Sequence, residues 1–107
     1  MTRVLVVEDN ANLAFAVTTA LQSDGFDVVI ASTGPEGVAR ARAGDADLII
    51  LDLMLPGFDG YRVIRTLRED DITTPILVLS VYLLNSRRDS HAARGDLMLS
   101  TLARSTA

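Results

Sequence analysis

The chain has 107 residues, of which 49% are hydrophobic and 22% are charged, and its formal net charge is -4. Domains commonly run about 100 to 150 residues, so residues 1–107 are predicted to form one globular domain. No apolar run approaches the roughly 20 residues of a membrane-spanning helix, which excludes a membrane protein. The absence of cysteine excludes disulfides, thiolate zinc sites and cysteine nucleophiles. The amino terminus lacks the pattern of a secretory signal, which predicts a cytoplasmic location.

Charge is distributed unevenly, and every one of the ten basic residues is an arginine. Residues 1–80 hold twelve acidic residues and six arginines (net -6), whereas residues 81–107 hold two acidic residues and four arginines (net +2). A phosphate-backbone binder needs clustered positive charge. The acidic body therefore predicts no direct nucleic acid binding by this chain.

The first predicted elements are a strand at 4–7, a helix and a second strand at 28–30. Both strands are short apolar runs without a polar interruption, which is typical of strands buried on both faces. Leu13, Val17 and Leu21 recur at helical spacing, and the helix is predicted to end at Asp24 and Gly25, where glycine can adopt the left-handed conformation.

A second helix is predicted from Thr33 to Gly44, because Thr33 and Glu36 have capping-box spacing and Pro35 lies in the first turn. A third strand follows at 48–51. The third helix is predicted to begin after Asp59 as N-cap, with Tyr61, Ile64 and Leu67 on its apolar side.

A fourth strand is predicted at 76–79, and the pattern weakens beyond Ser80. Residues 86–94 are compatible with a short helix and residues 97–99 with a weak fifth strand. The alternation of strands and helices predicts an α/β fold with a parallel sheet covered on both faces.

Polar residues, most of them acidic, follow three of the four predicted strands. Glu8 and Asp9 come after the first strand, Asp52 after the third and Ser80 after the fourth. Adjacent central strands would bring the three carboxylates together, and Mg²⁺ is suited to relieve their repulsion. An aspartate beside Mg²⁺ can attack phosphorus, and Asp52 is the best candidate. A single acidic residue at a strand end is more often a helix cap or a solvated loop residue, but matching strand ends favour a site.

Three segments resemble the receiver domain of bacterial two-component response regulators. They read VLVVEDN from residue 4, DLIILDLMLPGFDG from residue 47 and PILVLS from residue 75. The resemblance covers about residues 2–80, and the middle segment is most similar to receivers that precede a winged-helix DNA-binding domain. It implies a flavodoxin-like doubly wound parallel sheet of strand order 2-1-3-4-5.

The resemblance also implies roles for particular residues. Glu8 and Asp9 match the acidic pair that holds Mg²⁺, and Asp52 matches the phosphoacceptor. Met54 matches the position whose backbone carbonyl is a metal ligand, and Ser80 matches the hydroxyl residue that contacts the phosphoryl group and acts as the switch. The implied partner is a sensor histidine kinase. The implied activity of this chain is that of a phosphoacceptor that catalyses its own phosphotransfer, rather than that of a dedicated enzyme.

Residues 81–107 depart from the family pattern and are interpreted as an atypical or truncated ending, with a doubtful fifth strand and fifth helix. The family lysine is missing and Leu102 lies near its place; arginines 87, 88, 94 and 104 are poor substitutes. The absence of lysine keeps open a degenerate receiver that binds partners without phosphorylation. An uncovered fourth strand would be a sheet edge, which predicts a homodimer or poor solubility.

Two other functions fit less well. A hydrolase with Asp52 as nucleophile would resemble phosphatases that place a second aspartate two residues later, where this chain has Met54. Dinucleotide binding is excluded because no Gly-x-Gly-x-x-Gly follows the first strand.

Overall fold

A computed structural model describes residues 2–82 and 96–101. The elements are, in chain order, β1 (Arg3–Val7), α1 (Ala11–Ser23), β2 (Asp27–Ala31), α2 (Gly34–Arg42), β3 (Leu48–Asp52), α3 (Gly60–Glu69), β4 (Ile76–Tyr82) and β5 (Asp96–Thr101). The four predicted strands and three predicted helices before residue 80 are all present. The predicted helix over 86–94 and the fifth helix fall outside the described residues. Within the described part of the chain, no helix is long and apolar enough to cross a membrane.

The strands form one sheet of order β2-β1-β3-β4-β5. β1, β2, β3 and β4 pair in parallel, with Val7 opposite Leu51 and Asp52 opposite Leu79. The predicted strand order is therefore confirmed for the four parallel strands that position the carboxylates.

The end of the sheet differs from the prediction in two ways. β5 is present and runs antiparallel to β4, with Ser80 opposite Met98, so the sheet is mixed rather than wholly parallel. Antiparallel neighbours need no crossover to the other end of the sheet. Ser80 does not end β4, because pairing with β5 extends β4 to Tyr82. Because β5 pairs with β4, the condition under which the homodimer was predicted is not met, and dimerisation itself stays a prediction.

Side chains alternate between two hydrophobic cores, one on each face of the sheet. On one face α1 covers Val4 and Val6 of β1, together with Ile50 and Leu79. On the other face α2 and α3 complete a larger core, which comprises Leu5, Val7, Ala31, Val38, Ala41, Ile49, Leu51, Leu55, Val63, Leu67 and Ile76. The central strands β1 and β3 are thus buried on both faces, as predicted, which fixes the carboxylates at their ends.

A polar side chain caps the start of each helix in the described part of the chain. Asn10 Oδ1 accepts a hydrogen bond from the backbone N–H of Leu13 (2.9 Å), and Asp59 Oδ1 accepts one from the backbone N–H of Arg62 (2.9 Å). Thr33 Oγ1 accepts one from the N–H of Glu36 (3.2 Å), as the capping-box spacing predicts. The Glu36 carboxylate reaches back to the N–H of Ser32 (3.1 Å) instead of that of Thr33.

The predicted apolar face of α3 was wrong at Tyr61. The Tyr61 side chain is 61% exposed, whereas Val63 and Leu67 are fully buried. Positions 60, 63 and 67 follow the spacing of three and four residues that defines one helix face, and Tyr61 lies one residue, or about 100° of rotation, away from it.

The connection from α3 to β4 is held by the Arg68 clamp, which consists of the Arg68 guanidinium and the carbonyl oxygens of Ile72 and Thr74. Arg68 donates to Ile72 O (2.5 Å) and to Thr74 O (3.1 Å). Asp71 adopts a positive φ of 60° in this turn. Both acceptors lie just before β4, so the clamp sets the point at which the strand enters the sheet.

Candidate functional site

Three carboxylates meet at one edge of the sheet. Glu8 and Asp9 follow β1, and Asp52 is the last residue of the adjacent strand β3. One carboxylate oxygen from each residue lies within 4.8 Å of the other two. The structure therefore brings together the three acidic residues that the sequence places at strand ends.

Glu8 is the buried member of this group. Its side chain is 2% exposed, and Oε2 accepts a hydrogen bond from the N–H of Asn10 at 3.0 Å. Burial is the largest of several effects that together raise the pKa of Glu8 to about 7; the nearby Asp52 carboxylate also raises it, while the Asn10 N–H acts in the opposite direction. Among the described residues, Oε1 has no hydrogen-bond partner.

The unpartnered oxygen of Glu8 bears on whether the group fits a metal ion. A buried oxygen without a partner carries a free-energy penalty, and two further carboxylates beside it increase the repulsion. A hard divalent cation removes both penalties, because carboxylate oxygens are its preferred ligands. The donor set of the site therefore fits Mg²⁺.

Asp52 is held by the segment that follows it. Its Oδ1 accepts a hydrogen bond from the N–H of Met54 at 2.9 Å. Gly60, the first residue of α3, packs against the same backbone: a Cβ there would lie 2.6 Å from Asp52 O and 2.5 Å from Leu53 Cα. Gly60 N also donates to Leu53 O at 3.1 Å. The first turn of α3 thus fixes the backbone of Asp52, a role that the sequence analysis missed although Gly60 belongs to the quoted motif.

The other two predicted site residues lie near this group in different ways. The Met54 side chain is 82% exposed and ends in a thioether, which Mg²⁺ does not favour as a ligand, so any contact with Mg²⁺ by this residue falls to its backbone carbonyl. Ser80 follows Leu79, the residue opposite Asp52, which brings the backbone of Ser80 to the same part of the sheet. Leu102 and the arginines 87, 88, 94 and 104 fall outside the described residues.

Comparison with known proteins points to one family along most of the chain. The family described as "Response regulator receiver domain" matches residues 4–95, which extends beyond the resemblance over residues 2–80. The chain is 44% identical over 78 residues to the cell cycle response regulator CtrA of Brucella ovis, covering 73% of this chain and 34% of that protein. The chain therefore spans about a third of the length of the curated relatives it matches.

Comparison with solved structures points to the same family. The chemotaxis protein CheY4 of Vibrio cholerae superposes with a TM-score of 0.71 at 29% identity, over 87% of this chain and 79% of that one. The receiver domain of the sensor histidine kinase PA1611 from Pseudomonas aeruginosa, solved with a magnesium ion in its active site cleft, has a TM-score of 0.72 at 30% identity, over 82% and 74% of the two chains. The sheet order, the carboxylate group and these matches agree, and the chain belongs to the response regulator receiver domain family.

Proposed function

We propose that this chain accepts a phosphoryl group on Asp52 from a sensor histidine kinase in a Mg²⁺-dependent phosphorelay. The observation that carries the proposal is the convergence of Glu8, Asp9 and Asp52 within 4.8 Å, with one buried oxygen of Glu8 unpartnered among the described residues. The magnesium ion in the active site cleft of the Pseudomonas aeruginosa receiver supports the choice of metal.

Four groups would hold the metal: the carboxylates of Glu8, Asp9 and Asp52 and the backbone carbonyl of Met54. When bound, Mg²⁺ screens the repulsion between the Asp52 carboxylate and the phosphoryl oxygens. The Met54 N–H fixes the orientation of the Asp52 carboxylate through its bond to Oδ1. Glu8 is held in place by its own bond to the Asn10 N–H.

The transfer needs no oxidant or reductant. A carboxylate oxygen of Asp52 attacks phosphorus, the phosphorus–nitrogen bond of the donor phosphohistidine breaks, and its electron pair stays on the imidazole nitrogen. Ser80 is the residue that we assign to contact the phosphoryl group and to report its presence to partners. We infer a cytoplasmic location, because an aspartyl phosphate relay depends on kinase domains that use cellular ATP.

The test is the intact mass of the protein after incubation with Mg²⁺ and a small acyl-phosphate donor, beside an Asp52→Asn variant. We expect one phosphoryl adduct on the natural protein, none on the variant, and none when a chelator removes the metal. The asparagine keeps the shape of the side chain and the acceptor for the Met54 N–H but is not a nucleophile. An adduct that persists on Asp52→Asn would contradict the assignment of Asp52.

A second candidate is a degenerate receiver that binds partners without phosphorylation. Its support is the absence of lysine from the whole chain, which removes the usual ammonium partner of the phosphoryl group. The same experiment separates the two candidates. Mg²⁺ binding without any adduct would favour the degenerate receiver, and an adduct that requires Asp52 would reject it.

Homodimer formation is a further element of the proposal, although β5 covers the strand edge from which it was first expected. Sedimentation equilibrium over a range of concentrations measures it directly. A constant monomer mass would reject dimerisation without affecting the proposed chemistry of Asp52.

A further inference from the structure

Helix α2 packs against Val7, the residue before Glu8, and against Phe58, which follows Asp52 in the chain. Gly34 and Gly37 lie on one face of this helix, and we name them the glycine face of α2. A Cβ at Gly37 would lie 2.9 Å and 3.0 Å from the two Cγ methyls of Val7, the residue before Glu8. A Cβ at Gly34 would overlap the carbonyl oxygen of Phe58 and would lie 2.5 Å from Phe58 Cδ1.

A side chain would be harder to accommodate at Gly34 than at Gly37. Val7 offers only the ends of a side chain to Gly37, whereas Phe58 offers its own backbone to Gly34. Phe58 cannot easily retreat, because its side chain packs against the core between the sheet and α2 and α3. The guanidinium of Arg62 also lies 4.7 Å from the centre of its ring.

Phe58 belongs to the segment that holds Asp52. Two hydrogen bonds hold the segment of residues 53–59. The Met54 N–H donates to Asp52 Oδ1 near its start, and the Gly60 N–H, directly after its end, donates back to Leu53 O. Asp59, the next residue after Phe58, caps α3. A displacement of Phe58 is therefore transmitted to both ends of a short closed segment, and one of those ends orients the Asp52 carboxylate.

We propose that Gly34 is a positioning residue for the acidic site: the missing side chain lets residues 53–59 seat against α2 and so places Asp52 and the Met54 backbone. The importance of this placement rests on the proposed function, in which both groups act. Gly34 itself contacts neither the carboxylates nor a substrate.

The experiment compares Gly34→Ala with Gly25→Ala. The control makes the same chemical change at a glycine with φ of +90° and open space where the Cβ would lie, so it strains the backbone without touching residues 53–59. For each protein, urea unfolding gives the global stability and amide hydrogen exchange gives the opening of the Met54 N–H bond. An NMR titration with Mg²⁺ then gives the metal affinity.

Gly34→Ala is expected to speed exchange at Met54 by more than its loss of global stability explains, and to weaken Mg²⁺ binding about 10- to 100-fold, the range typical of residues that orient metal ligands. Gly25→Ala is expected to lose stability while Met54 exchange and Mg²⁺ affinity stay unchanged, because the exposed Met54 N–H exchanges through local opening of its own bond. Natural exchange and affinity in Gly34→Ala, or equal effects in the two variants, would overturn the proposal.

A second variant decides the matter if Gly34→Ala does not fold. Phe58→Ala keeps the Phe58 carbonyl but removes the ring that lies against Gly34, so it loosens the side-chain part of the same contact and adds no atom to α2. Exchange at Met54 is expected to speed up by more than the loss of global stability explains, and a change no larger than that loss would reject the proposal. If the natural protein binds no Mg²⁺, the proposed function fails, while the Met54 exchange data still test the positioning role of Gly34.

Discussion

Replacing Glu8 with glutamine is expected to stabilise the metal-free protein at alkaline pH. The pKa of Glu8 rises from 4.5 to about 7 on folding, chiefly through burial. Between these values the folded state binds more protons than the unfolded state, so stability falls as pH rises through the folded pKa. The shift of about 2.5 pH units corresponds to about 3.5 kcal/mol at about 1.4 kcal/mol per unit. Glutamine keeps an acceptor for the Asn10 N–H and removes the charge.

The assay is urea unfolding followed by far-ultraviolet circular dichroism in the presence of a chelator, at pH 4 and pH 8. Glu8→Gln should match the natural protein at pH 4 and exceed it by up to about 3.5 kcal/mol at pH 8, a large part of a typical domain stability of about 5 to 15 kcal/mol. Glu69→Gln, the same change at an exposed residue at the far end of α3, is the matched control. Saturating Mg²⁺ should reverse the order, because only the natural protein gains binding free energy from the complete site. Equal stabilities of Glu8→Gln and the natural protein at pH 8 without metal would refute the reasoning.

Two further changes test the framework of the fold by the same urea assay. Asp71→Gly should stabilise the protein by up to about 1 kcal/mol, because Asp71 has a φ of 60° that glycine adopts without strain; destabilisation would show that the Asp71 side chain has a compensating role. Leu67→Ala should destabilise it by about 2 to 5 kcal/mol, because the Leu67 side chain is fully buried in the core beneath α3, and a loss below about 1 kcal/mol would contradict that packing.

The parts of the fold that the sequence predicts well depend on local chemistry. The apolar runs of β1, β3 and β4 have a pattern typical of buried strands, and the predicted caps Thr33 and Asp59 precede the helices at which they act. Because parallel strands end at the same edge of a sheet, the proximity of Glu8, Asp9 and Asp52 follows from strand assignment once β1 and β3 are neighbours.

The features that sequence analysis missed depend on contacts between distant segments. Tyr61 looks suitable for the core, and only the packing of α3 shows that Val63 takes that place. The direction of β5 follows from its pairing with β4, and a six-residue strand carries no signal for direction. The approach of Gly34 to Phe58 joins residues 24 positions apart, and in the sequence Gly34 is indistinguishable from a glycine chosen to begin a helix.

The Arg68 clamp makes the length of the connection between α3 and β4 intolerant of insertion or deletion. Its two acceptors, Ile72 O and Thr74 O, fix how much chain separates the helix from the strand. One added residue would break this bridge or shift β4 by one position, and a shift of one position exchanges the two faces of a strand. Leu79 would then leave the core beneath α1, and a different residue would take the position of Ser80, which follows the residue opposite Asp52. Substitutions are therefore easier to accommodate in this connection than changes of length.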